Sequence, residues 1–120
     1  KKGIYRYLPL EHKLLFVKEE ESLNGKIVEG VNNQKFAGTS AVTFIWACIP
    51  YRTEWRYGDR TYKIALLDAG HIGQALYIAC ETIGLGTCAI ASYDQKFIDE
   101  LIDVDGQDEF AVYICPVGKV

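Results

Sequence analysis

Residues 65–94 read ALLDAGHIGQALYIACETIGLGTCAIASYD. From Tyr62 to Ile83 the apolar spacing is helical, and Gly84 supplies the left-handed stop that ends such helices. Between Leu66 and Cys80 only Asp68, His71 and Gln74 are strongly polar, and steps of three place them on one drifting stripe. The rest of the circumference is apolar, which predicts a helix buried on most sides. Ala65, Ala69 and Gly73, four apart, form a ridge of small residues that predicts close approach of another helix or a second subunit. His71 and Gln74 have two readings: core groups satisfied by neighbouring backbone, or groups beside a ligand or symmetry partner. A membrane span is excluded, because Lys63, Asp68, His71, Gln74 and Glu81 break every run approaching ~20 apolar residues.

Beyond the Gly84-Leu85-Gly86 turn, Thr87–Ser92 reads as a short strand, and Asp94 is placed to cap a helix reaching Ile102 with Phe97, Ile98, Leu101 and Ile102 inward. The Gly-x-Gly pair follows a helix and precedes a strand, the reverse of the order a phosphate-binding turn requires. Upstream, Gly3–Leu8 and Lys13–Val17 read as a hairpin, and Glu19–Val31 as a surface helix interrupted or capped near Asn24-Gly25. Ala41–Ile49 is a continuous apolar run, read as a central strand buried on both faces and ended by Pro50. Tyr51–Arg60 reads as a surface turn with aromatic anchors, Asp103–Glu109 as an acidic turn, and Phe110–Val117 as the last strand.

Composition narrows the function classes. The 120 residues, 49% hydrophobic and 24% charged, describe one globular domain, and a net charge of −3 without a basic block gives a phosphate backbone nothing to bind. Cys48, Cys80, Cys88 and Cys115 form no Cys-x-x-Cys pair, with only His12 and His71 as companions. They read as reduced thiols acting as small hydrophobes in a cytoplasmic protein rather than as metal ligands. No P-loop, serine nucleophile elbow or paired-carboxylate motif is present. The chain has no Met and begins Lys1-Lys2, which leads us to expect part of a longer chain.

Several segments, taken in order, carry a resemblance. They are Gly3-Ile-Tyr-Arg-Tyr-Leu-Pro-x-x-His12-x-Leu14, Arg56-Tyr-Gly-Asp-Arg60-x-Tyr62, Asp68-Ala-Gly-His71-Ile-x-Gln74-x-Leu76, Ile83-Gly-Leu-Gly86 and Val117-Gly118. Together they resemble the nitroreductase superfamily, particularly its SagB-type dehydrogenase branch. The resemblance implies an α+β fold, a mixed, largely antiparallel sheet flanked by helices and incomplete at its amino terminus. Residues 1–120 would then be a single nitroreductase-like domain, its carboxy-terminal portion. It also implies an intertwined homodimer with FMN at the subunit interface. The expected activity is that of an oxidoreductase passing hydride between NAD(P)H or an organic substrate and the flavin.

By position, Ala89, Ile90, Ala91 and Ser92 match the family loop whose backbone N–H groups approach the flavin near N5, Ala91 and Ser92 most closely. Lys119 stands where the family often has basic residues toward the FMN phosphate. Arg56-Tyr57 stands where the SagB-type branch has a Lys-Tyr pair, which makes Tyr57 the candidate proton donor or acceptor near substrate. The alternative is a non-catalytic dimerisation or binding module that keeps the scaffold without a complete flavin site.

Overall fold

The apolar run at the end of the chain forms the strand around which the rest is organised. A computed structural model describes residues 1–119, and Val120, the last position of the domain expected over 1–120, lies outside the described residues. Strand β5 (Phe110–Gly118) occupies the middle of a three-stranded antiparallel sheet, with β3 (Val42–Cys48) on one side and the two-residue β4 (Gly86–Thr87) on the other. Its residues Ile114 to Val117 are buried in sequence, as a strand covered on both faces requires. Val112 has no residue opposite it on β3, since Trp46 pairs with Tyr113 and Ala47 with Ala111. That bulge resets the alternation, so Ala111 and Ile114 enter the same core.

This corrects the expected order of strands. The Ala41–Ile49 run was expected to be central and buried on both faces, but β3 is an edge strand with Val42 and Phe44 exposed. Two continuous apolar runs compete for one central position, and periodicity does not rank them. The expected Thr87–Ser92 strand contracts to Gly86–Thr87 plus a single bridge, Ile90 to Ile114. The hairpin forms as expected from β1 (Gly3–Leu8) and β2 (Lys13–Glu19), as a separate two-stranded sheet. Its turn is closed by Tyr7 Oη and His12 Nδ1, 2.8 Å apart.

Helices cover both faces of β5. On one, α1 (Leu23–Gly30) and α4 (Gln95–Ile102) contribute Ile27, Ile98 and Leu101 to a core shared with Val31, Ile90 and Ile114. Gly25 sits inside α1 rather than interrupting it, while Gly30 is needed where the helices meet, because a Cβ there would come within 2.6 Å of Ile98 Cδ1. Asp94 caps α4 as expected, its Oδ1 accepting from Phe97 N at 2.9 Å. The opposite face of β5 receives α3 (Thr61–Thr82), followed by Gly84 at φ 67°.

The small ridge of α3 packs on the sheet, not on a helix or subunit. Ala69, Gly73 and Cys80 are buried, and a Cβ on Gly73 would stand 3.0 Å from Tyr113 Cε1. Burial of α3 on most sides is also corrected. Leu66, Leu67 and Ile78 are 57%, 50% and 59% exposed, and His71 and Gln74 face outward with them. His71 is nonetheless satisfied by backbone, with Nδ1 2.7 Å from Leu67 O. An apolar circumference does not by itself fix which faces of a helix the fold covers.

The Tyr51–Arg60 segment is helical rather than a simple turn. Pro50, at φ −54°, stops β3 and starts α2 (Tyr51–Tyr57), which ends at Gly58 with φ 50° and passes through a 3-10 turn into α3. Thr61, the first residue of α3, is wholly buried, and its Oγ1 has no hydrogen-bond partner among the described residues. Thr61→Val, which keeps the shape and removes the unpaired hydroxyl, is expected to stabilise the protein by about 1 kcal/mol. Urea unfolding checks this, and a lower midpoint would show that the hydroxyl does bond.

Candidate functional site

The turn between β4 and α4 is held from both ends while its middle stays open. Ala89 N donates to Tyr77 Oη on α3 at 2.8 Å, and Ile90 N donates to Ile114 O on β5 at 2.7 Å. Beyond Ser92, Asp94 N donates to Gly30 O at 2.8 Å, and Tyr93 Oη donates to Ala111 O at 3.0 Å. Among the described residues, the backbone N–H groups of Ala91 and Ser92 have no partner, and both residues are exposed. Of the four residues expected to approach a flavin, Ala89 and Ile90 therefore spend their donors on the fold. Ala91 and Ser92 leave theirs unengaged, a pair of neutral donors suited to ring nitrogen and carbonyl acceptors.

A buried polar network lies beneath the turn. Asp99 on α4 is 3% exposed; its Oδ1 accepts from Ala111 N at 2.7 Å and its Oδ2 from Gln95 Nε2 at 3.0 Å. Gln95 Nε2 also donates to Ala111 O at 2.9 Å, so both backbone groups of Ala111 are tied to α4. Burial, reinforced by the Asp99 charge, pushes the Tyr93 phenol up, which keeps it a neutral donor to Ala111 O.

Lys119 is exposed and follows directly on β5. Since Gly118 pairs with Gly86 and Ile114 with Ile90, Lys119 stands about 16 Å along the strand from the bridge at the base of the turn. Tyr57 ends α2, with the Arg56 guanidinium 5.7 Å from its ring centroid. No hydrogen bond or ring contact joins Tyr57 to the turn among the described residues. A recess of about 180 Å³ between β3, α2 and α3, lined in part by Trp46, Thr53, Asp68 and Ile72, contains neither Tyr57 nor any residue of the turn.

The thiols divide in a way their flanks did not reveal. Cys48, Cys80 and Cys115 are buried, while Cys88 is exposed. Burial, with smaller contributions from Cys88 and Cys80, pushes the Cys115 thiol up to about 11, so it stays protonated and unreactive at neutral pH. Among the described residues, no group of three His, Cys, Asp or Glu is placed to hold a metal ion, and no helix is long and apolar enough to cross a membrane.

Comparison with known proteins gives this geometry its context, for the Nitroreductase family model matches residues 1–119. The chain belongs to the nitroreductase family. MJ1384 of Methanocaldococcus jannaschii, a curated relative bearing a nitroreductase name, is 26% identical over 117 residues, covering 98% of this chain and 57% of that protein. A solved structure from Anabaena variabilis, also named for nitroreductase, superposes with a TM-score of 0.87 at 24% identity, over 96% of this chain and 23% of the other. The NADPH:FMN oxidoreductase from Vibrio harveyi, solved in complex with NAD+, gives a TM-score of 0.69 at 19% identity, over 86% of this chain and 48% of the other. These structures share the fold: an α+β arrangement of antiparallel sheet flanked by helices. The chain thus spans little more than half the length of the curated relative it matches, and less of the two solved proteins.

Sequence reasoning missed the residues that hold the turn. Tyr77 lies within the apolar helix pattern, and Asn32 and Gln34 fall between the elements read from the sequence. The adjacent asparagines at the end of α1 are a usable signal, because Asn tolerates the left-handed conformation that both adopt, at φ 55° and 63°. What they face is set by a fold that brings residues about sixty positions apart together.

Proposed function

We propose that this chain supplies one side of an FMN site in a nitroreductase-type oxidoreductase, with residues 1–120 acting as one nitroreductase-like unit. The observation that carries the reading is the pair of N–H donors on exposed Ala91 and Ser92, which have no partner among the described residues, directly after Ala89 and Ile90, whose donors are engaged. These two groups would hold the ring edge near N5, orienting it without adding a titrating side chain. Lys119 would meet the charge of the phosphate, and Tyr57 would hold or accept a proton at its hydroxyl near substrate. FMN, when bound, supplies the redox chemistry, accepting hydride from NAD(P)H or an organic substrate and passing it on. The family match supports this reading, as does the description of the Vibrio harveyi neighbour as an NADPH:FMN oxidoreductase. The SagB-type branch, with a small organic substrate and a cytoplasmic setting, is the finer assignment we favour from the motifs around Tyr7, Tyr57 and His71.

The uncovered face of α3 favours assembly as a homodimer. Leu67 and Ile78, eleven residues apart, fall on one stripe with His71 and Gln74 between them, opposite the buried Ala69 and Gly73. A second copy covering this stripe would also place His71 and Gln74 at the interface. The double variant Leu67→Glu, Ile78→Glu is expected to be monomeric by sedimentation at concentrations where the parent is dimeric; an unchanged mass removes α3 from the interface. For the cofactor, uptake of FMN should give absorbance near ~450 nm that NADH or NADPH bleaches. A colourless protein that takes up no added FMN would favour the non-catalytic module instead.

A further inference from the structure

We infer that Gln34 and Asn32 are positioning residues that pre-organise the Ala91–Ser92 donors, an inference that rests on the flavin reading of the turn. The end of α1 and the loop after it reach the turn at three points. Gln34 Nε2 donates to Ser92 O at 3.2 Å and to Val31 O at 3.0 Å. Asn32 Nδ2 lies 3.0 Å from Ser92 Oγ, and Gly30 O accepts from Asp94 N at 2.8 Å. Both acceptors facing Gln34 are carbonyls, so its amide is fixed with the NH2 group toward them.

The backbone geometry of this loop has a local cost that the contacts explain. Asn32 and Asn33 are successive residues with positive φ, a conformation that disfavours any residue with a Cβ and favours Asn over most. The double left-handed step turns the chain sharply out of α1, with Asn33 N donating to Val28 O at 2.8 Å, and delivers Gln34 to the Ser92 carbonyl. The peptide linking Ala91 to Ser92 carries one open donor, and Ser92 O, on the far side of that residue, is pinned by Gln34. With Ile90 N pinned to β5 at the other end, the two open N–H groups have their directions fixed before any ligand arrives. Donors fixed in advance lose less conformational freedom on binding, which is where affinity and orientation are gained. Asn32 Nδ2 donates to Ser92 Oγ and so holds the Ser92 side chain in place, completing the clamp.

Two measurements on the full chain separate this inference from the flavin reading. In flavin-free protein, backbone 15N order parameters at Ala91 and Ser92 should fall from the rigid range near ~0.85 toward ~0.6 in the Asn32→Ala, Gln34→Ala double variant, with Ile114 unchanged. Gln34→Glu, nearly isosteric but without the N–H donors, should reproduce most of the effect in a chain that keeps the wild-type melting temperature. Rigid amides at Ala91 and Ser92 in both variants overturn the clamp. In FMN titration, the double variant should bind about tenfold more weakly than wild type and with a shifted flavin midpoint potential. Equal affinity and equal potential overturn the positioning role even if the amides loosen. Failure of the wild-type chain to take up FMN overturns the flavin reading, and the order parameters then decide the clamp alone.

Discussion

Asp99→Ala is expected to lower stability by about 3 kcal/mol or more, since a buried hydrogen bond to a charged group is worth about 1.5–3 kcal/mol and two are lost. The carboxylate is 3% exposed and accepts from Ala111 N and Gln95 Nε2. Truncation leaves the Ala111 amide buried with no acceptor at the start of the central strand, where a lost bond carries its full desolvation penalty. The damage should also spread to the turn, because Gln95 and Tyr93 share Ala111 O. Asp99→Asn, which keeps the Oδ1 acceptor but turns an amide toward Gln95, should cost about half as much. Denaturant unfolding of the three proteins checks the order. Equal midpoints would mean that the carboxylate contributes nothing at its buried position.

The second large effect is expected at Gly73. Gly73→Leu places a branched side chain where even a Cβ meets Tyr113 Cε1 at 3.0 Å, and overpacking of this kind costs about 1–3 kcal/mol or more. Replacing a helical glycine returns about 0.8–1 kcal/mol of propensity, so the net loss should be about 1–2 kcal/mol. Gly73→Ala isolates the two contributions and should lie near zero, because Tyr113 has only to yield by a few tenths of an ångström. Thermal melts of both variants distinguish this packing from a subunit contact. A ridge used between subunits would make the loss depend on protein concentration, while a ridge used against the sheet gives a loss independent of it.

Residue periodicity alone located much of the molecule. The hairpin, the long helix ending before Gly84, the Asp94 cap and the apolar last strand are all local events, determined by side chains within one or two turns of each other. Strand order was not local. β3 and β5 carry equally apolar runs, and only the pairing of β4 with β5 made the latter central. The same limit applied to α3, whose apolar composition predicted burial on most sides; Gly73 meets Tyr113 forty residues away, while Leu67 and Ile78 stay 50% and 59% exposed.

The candidate site divides along the same line. Residue pattern read Thr87–Ser92 as a short strand, and only the likeness to a family loop, followed in order along the chain, marked Ala89–Ser92 as a loop. Which of its four N–H groups remain free was decided by Tyr77, twelve residues back, and by Ile114, twenty-four residues ahead. Gln34 and Asn32 became visible only once α1 was packed on α4. Sequence by itself determined the hairpin, the long helix, the last strand, the Asp94 cap and the family, because each is written in residue type and short-range spacing. Tertiary structure alone decided which strand is central, which face of α3 is left uncovered and which backbone donors stay open, because each depends on partners that chain folding brings from far away.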